Sequence, residues 1–261
     1  MKVYLSVSGV LLTAVLLLLA GLLVLCCLLA PFTQTIVADC LPNVKEENGI
    51  FAAASTRPTV ILDPGHGGED SGAVGVDGVL EKDLNLSMAR RLYDLLTFEG
   101  WQVILTRRED VLLYSSDLSL SHKSQDLKNR LDYSARYPGA IFVSIHMNKF
   151  PAESCKGLQI YYSPNHPDSR SMALELQTAI QKKLTPENHR EIKSATSSIY
   201  ILHRIQIPAI LIECGFISNR EESQLLRNGD YQKKMIAIFV AGLAQFSDWQ
   251  GEGQRQRQPS A

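Results

Sequence analysis

The sequence predicts an α/β domain with a mostly parallel sheet and helices on both faces, preceded by a membrane-spanning helix. Two observations lead there. Short apolar runs alternate with longer stretches whose apolar residues recur at helical spacing. Ahead of them lies one apolar segment long enough to cross a bilayer.

That segment comes first in the chain. Residues 1–44 of the 261 carry only two charges, Lys2 and Asp39. From Val10 to Ala30 only Thr13 and Gly21 interrupt the apolar run. A bilayer core takes about 20 such residues as a helix. A cleaved signal usually has an apolar region of only ~7–15 residues. Residues 1–32 therefore read as an uncleaved anchor, amino terminus inside and the following chain outside. Lipidation at Cys26 is disfavoured by bulky Leu25 before it and by the apolar run beyond it. Residues 33–57, with Pro42, Asn43 and Lys45–Gly49, break every pattern and read as a tether.

Residues 58–248 hold the alternation. Thr59–Leu62 is a buried strand. Leu84, Met88, Leu92, Leu95 and Leu96 predict a helix over Asp83–Phe98, which Gly100 stops. Gln102–Thr106 is the next strand, and Lys123–Arg136 suits a helix. Ala140–Ile145 and Gln159–Tyr162 read as buried strands. Asp168 or Ser169 caps a helix to about Leu184. Ala209–Ile212 is strand-like, and Tyr231–Phe246 is a closing amphipathic helix. The polar tail 249–261 is predicted to be mobile.

Composition narrows the function. With 45% hydrophobic and 20% charged residues, the bulk of the chain is neither disordered nor fibrous. Lys and Arg total 26 against 27 Asp and Glu, a net charge of −1. That balance excludes a general electrostatic grip on nucleic acid. Cys26 and Cys27 fall in the apolar segment, leaving Cys40, Cys155 and Cys214. Their spacing matches no zinc pattern or disulfide framework, so the fold is not expected to depend on bridges. A Cys40–Cys155 bridge stays open.

Chemistry gathers where strands end, as in other parallel sheets. Asp63-Pro-Gly-His66-Gly-Gly68 runs a strand into a glycine-flanked histidine. Ser144-Ile-His146-Met-Asn148 ends the most apolar strand, and Ile212-Glu213-Cys-Gly215 ends another. Glu81 opens the first long helix. Two histidines and a carboxylate make a three-ligand zinc site, and a second carboxylate serves as proton shuttle. Each residue also has a plain reading. His66 can be a turn residue, and Glu81 can answer the helix dipole. His146 can be satisfied by Asn148, and Glu213 can pair with Arg130. All four together are hard to obtain by accident. Gly65–Gly68 lacks the Lys-Ser/Thr of a phosphate loop and is followed by Glu69-Asp70. Cys214 reads as an inert core thiol. His122, His166, His189 and His203 read as solvated.

These segments, with Leu80-Glu81-Lys-Asp83 and Phe216-Ile-Ser-Asn219, resemble the four motifs of zinc-dependent N-acetylmuramoyl-L-alanine amidases, over about residues 58–247. Asp126–Arg130, Ser198–Leu202 and Tyr231-Gln-Lys-Lys resemble the germination-specific subgroup of spore-forming bacteria. The resemblance implies one α/β domain with a mixed six-stranded sheet and one Zn2+ on His66, Glu81 and His146. It makes Glu213 the catalytic glutamate and peptidoglycan the substrate, that of the spore cortex if the subgroup resemblance holds. Asp63 and Asn148 would orient ligands, and Arg130 would hold a carboxylate. The membrane segment would keep the domain outside the cytoplasm, where an accessory activator protein is a possible partner. The interval from His146 to Glu213, 67 positions, is too short for the inhibitory helix of division amidases. Cys214 departs from the small aliphatic residue usual in that motif. Two rivals are a zinc carboxypeptidase on the same fold and a non-catalytic wall-binding module.

Overall fold

Strand β1 (Val60–Pro64) is buried along its whole length, as a run of Val, Ile and Leu between two layers demands. A computed structural model of the chain describes residues 57–114 and 121–257. The proposed anchor, nearly all of the tether, Cys40 and the last four residues lie outside them. Among the described residues no helix is long and apolar enough to cross a membrane.

β1 lies between β2 (Val103–Leu105) and β3 (Ile141–Asn148), parallel to both. β3 pairs in parallel with β6 (Ala209–Phe216). β4 (Gln159–Tyr162) runs antiparallel to β6, and β5 (Lys193–Ser194) lies parallel to β4 at the edge. The order is β2-β1-β3-β6-β4-β5, a mixed six-stranded sheet with a single antiparallel junction.

Among the described residues six helices accompany it: α1 (Glu81–Phe98), α2 (His122–Arg136), α3 (Pro167–Lys183), α4 (Tyr200–Arg204), α5 (Arg220–Arg227) and α6 (Gly229–Arg257). Alternation along the strands divides the core in two. Val60, Leu62, Val143 and Ile212 pack with Met88 and Leu92 of α1, Leu176 of α3 and Phe239 of α6. Ile61, Phe142 and Leu211 face the other way, against Leu127 and Leu131 of α2 and Leu202 of α4. The result is three layers with the carboxyl ends of β1, β3 and β6 side by side.

The structure departs from the sequence reading in particulars. β3 and β6 continue to Asn148 and Phe216, so His146 and Glu213 sit within strands. The ladder continues because each strand supplies the other's backbone partners whatever the side chains are. The direction of β4 leaves no trace in its own apolar run; it follows from the neighbour it meets. β5 has only two residues, both exposed, and α4 only five, too few for a periodic signal. α5 is eight mostly polar residues, capped by Asn219, whose Oδ1 accepts from the Glu222 amide at 3.0 Å. α3 is capped by His166, whose Nδ1 accepts from the Asp168 amide at 3.3 Å, with Pro167 at the first position. The Ser169 hydroxyl, one of the predicted caps, instead accepts from the Ala209 amide at 3.0 Å. α6 runs on to Arg257, into the stretch read as a mobile tail. Gln, Glu and Arg propagate a helix already nucleated by packing. Cys155 and Cys214 are free thiols.

A candidate metal centre at the carboxyl ends of the strands

Each candidate ligand arrives on a different element. β1 leaves the sheet at Pro64, and the chain turns through Gly65-His66-Gly67-Gly68. His66 has φ 61°, in the left-handed region, and is the only such non-glycine residue among the described ones. Arg130 secures it by donating from Nη2 to the His66 carbonyl at 2.6 Å. Glu81 is the first residue of α1 and is 4% exposed. His146 stands near the end of β3, opposite Glu213 of β6 in the ladder.

The three side chains converge. One ligand atom each from His66, Glu81 and His146 lies within 4.8 Å of the other two. Glu81 Oε1 is 2.9 Å from His146 Nδ1 and 3.3 Å from His66 Nε2. The two rings meet edge to face, centroids 5.0 Å apart. Glu81 is held by its surroundings too. Oε1 accepts from the Met147 amide at 3.2 Å and Oε2 from the Ala73 amide at 2.8 Å. Burial alone would raise this carboxyl, but bonds to His146 and His66 outweigh burial and hold it far below the usual carboxylate range. Burial likewise opposes the charged His66, yet Glu81 and Asp70 raise it above its ordinary value. The cluster is cut to size by glycine. A Cβ on Gly65 would lie 2.1 Å from the His146 ring. One on Gly72, at φ +65°, would lie 2.6 Å from Glu81 Oε2 and 2.7 Å from His66.

Glu213 joins the cluster without bonding to it. Its Oε2 is buried with no hydrogen-bond partner among the described residues. Burial pushes its carboxyl up to about 7, with His146 and His66 pulling it down and Glu81 adding to the rise. It does not pair with Arg130.

Arg130 is only 1% exposed, so it meets protein carboxylates rather than substrate. Nη1 donates to Asp63 Oδ1 at 2.7 Å and Nε to Asp126 Oδ2 at 2.8 Å. Asp63 also accepts from Thr106 at 2.7 Å and Ser144 at 2.8 Å. Burial would raise the Asp63 carboxyl, but Arg130, Thr106 and Ser144 together hold it low. Asp63 therefore acts on His66 through Arg130 and touches no candidate ligand directly. Asn148 contributes by its backbone: its carbonyl accepts from the Ile217 amide at 2.9 Å. It does not satisfy His146, whose Nδ1 meets Glu81 Oε1 at 2.9 Å instead.

Three residues escaped the sequence reading. Asp70 Oδ2 is 2.9 Å from His66 Nδ1 and fixes the ring so that Nε2 faces Glu81. Its spacing of four from His66 was the available signal. Asn85, one turn along α1 from Glu81, donates to the Gly65 carbonyl at 3.1 Å. Buried Arg107 donates to the carbonyls of Pro64, Gly65 and Lys82, tying the His66 turn to α1. Neither carried a motif. Of the unassigned histidines, His122, His189 and His203 are exposed.

Two imidazole nitrogens and one carboxylate oxygen, with a buried carboxyl beside them, fit zinc in the three-ligand pattern of catalytic sites.

Comparison with known proteins agrees with this geometry. Residues 60–245 match the family described as N-acetylmuramoyl-L-alanine amidase. A germination-specific N-acetylmuramoyl-L-alanine amidase of Bacillus subtilis is 32% identical over 195 residues, 74% of this chain and 81% of that protein. A probable cell wall amidase of Staphylococcus aureus, LytH, is 30% identical over 210 residues, 80% of this chain and 62% of that protein. The CwlD amidase of Clostridioides difficile, solved in complex with the GerS lipoprotein, superposes with a TM-score of 0.70 and 35% identity. That match covers 74% of this chain and 99% of CwlD. The amidase AmiC2 of Nostoc punctiforme gives a TM-score of 0.63 at 29% identity, over 73% of this chain and 97% of that one.

Proposed function

The chain belongs to the N-acetylmuramoyl-L-alanine amidase family, and from that premise we propose that it uses one zinc ion to hydrolyse the amide between the muramic acid lactyl group and L-alanine in peptidoglycan. The observation that carries the zinc reading is the convergence of His66, Glu81 and His146 beside Glu213, whose Oε2 is buried.

The residues divide the work. His66, Glu81 and His146 would hold the ion, and Asp70 keeps the His66 ring in place. Bound zinc would supply a Lewis acid that polarises the scissile carbonyl and lowers the pKa of a water toward ~7. Glu213 Oε2 takes the proton of the attacking water and returns it to the departing amine of L-alanine. Burial raises this carboxyl, which favours its taking up a proton before passing it on.

We extend the reading to spore-cortex peptidoglycan, supported by the germination-specific relative, and to a domain outside the cytoplasm, supported by the apolar segment at residues 10–30. The GerS lipoprotein in the CwlD complex supports an accessory partner for this chain as well.

The test is digestion of vegetative and cortex peptidoglycan by the full chain with zinc, with released peptides read by mass spectrometry. Intact peptides beginning with L-alanine, absent with Glu213→Ala, are the expected result. Fragments cleaved within the stem peptide would instead make the protein a carboxypeptidase.

A further inference from the structure

One surface beside the metal centre has no part in the mechanism above. After β2 the chain passes over the His66 turn, with Val111 and Leu112 close to Gly67 and Gly68, and reaches Tyr114, which is 47% exposed. The Tyr114 ring stacks on His122, at the start of α2, with centroids 4.1 Å apart and planes 9° from parallel. His122 is held in turn by Glu69, Nδ1 to Oε1 at 2.6 Å. Glu69 precedes Asp70, the residue that fixes His66. Tyr114 lines a surface cavity of about 490 Å3 with Gly68, Glu69, Asp110, Val111 and Leu112.

The cavity is built rather than incidental. Its floor is tied to the catalytic turn, because the Gly68 amide donates to Asp110 Oδ1 at 2.8 Å. Lys82 bridges the Gly68 carbonyl and Asp110 at 2.7 and 2.6 Å. The residue before Tyr114 is pinned twice by α2. The Leu113 amide donates to Asp126 at 2.8 Å, and its carbonyl accepts from Asn129 at 2.6 Å. Ordering the walls in advance lowers the entropy cost of binding.

The chemistry of the walls selects a ligand. Among the described residues the lining offers one aromatic side chain, two apolar side chains and two carboxylates, Asp110 paired with Lys82 and Glu69 with His122. An aromatic face takes the C–H face of a pyranose, and carboxylate oxygens accept from sugar hydroxyls. We propose that Tyr114, braced on one face by His122, is the aromatic wall of a glycan subsite, on which a sugar neighbouring the scissile muramic acid stacks. This rests on the amidase reading and adds a direction: the glycan strand leaves the metal centre on the β2 side of the sheet, beyond β1.

The test uses the full chain in detergent with zinc and three probes: peptide-free glycan strands, free stem peptides, and N-acetylmuramoyl-L-alanyl-D-isoglutamine, which carries one sugar. Binding is read by calorimetry and hydrolysis by the released peptide. Tyr114→Ala should weaken strand binding and raise KM on polymeric peptidoglycan about two- to tenfold, leaving the single-sugar amide unchanged. Tyr114→Phe should behave as wild type, and His122→Ala should lose part of the binding. Unchanged strand binding in Tyr114→Ala would overturn the proposal. So would an equal loss on polymer and single-sugar amide, a loss of stem-peptide binding instead, or no strand binding by the wild type. A wild type that binds strands but cleaves neither substrate would sink the amidase reading and leave the subsite standing.

Discussion

At the scale of single residues, three side chains beyond the ligands carry testable roles. Glu213 is the proton carrier, so Glu213→Ala should retain zinc, measured by atomic absorption, while turnover of peptidoglycan falls roughly 10²–10⁴-fold. Asp70 acts only through His66. Asp70→Asn keeps the shape but loses the charge, and zinc affinity by competition with a chelator should drop about 10–100-fold. Among the described residues Arg130 is the only one in a salt bridge with the buried Asp63. Arg130→Met leaves that carboxylate buried and unpaired, which costs about 3–5 kcal/mol by urea denaturation. The pH dependence gives the sign. Asp63 is depressed in the folded protein, so its contribution is complete above about pH 4 and is lost as pH falls through the depressed value. Without Arg130, burial raises the same carboxyl. Arg130→Met should then gain more stability than the wild type on acidification from pH 7 toward 4, because only in the variant does Asp63 add to the gain from the raised carboxyl of Glu213.

Among the elements, the two strands that carry His146 and Glu213 are stitched together beyond their ladder. Glu222 on α5 accepts from the Phe216 amide at 2.7 Å and from the Gly157 amide at 2.8 Å. Asn219 caps α5 and donates to the Glu153 carbonyl at 2.7 Å. The segments after β3 and β6 are thereby fixed to each other, and with them the separation of ligand and base. Asn219→Ala removes the cap and should cost about 1 kcal/mol, seen as a lower urea midpoint at constant slope. A midpoint equal to wild type would show that the cap carries no stability. α5 itself was invisible beforehand. Its eight residues are mostly polar, and it exists because Asn219 caps it and Leu226 reaches the core.

For the whole molecule, the metal is expected to behave as a stabilising ligand. Three ligands come from the turn after β1, the start of α1 and the end of β3, so the ion joins elements distant in sequence. Zinc at about 100 times its dissociation constant adds roughly 2.7 kcal/mol to the folded state. Chelation should therefore lower the Tm reversibly, and Glu81→Ala should abolish that response. A Tm indifferent to chelator in the wild type would argue against a resident ion.

Much of this protein could be read from residue order alone. Apolar period distinguishes strand from helix, so β1, β3, β4, α1 and α3 were recognisable, as was the three-layer class. The chemistry was recognisable too, because His66, Glu81, His146 and Glu213 interrupt apolar or glycine-rich context where a polar group needs a reason to stand. Tertiary contact decided the rest. The antiparallel direction of β4 depends on β6, and β5 exists only as an edge partner. Asp63 and Arg130 are ordinary charges in sequence, 67 positions apart, until burial forces them together. Glu213 shows the division most clearly. Its place in a strand end marked it as unusual, but its raised carboxyl arises from the low-dielectric wall around it. That wall is made by strands and helices from across the chain.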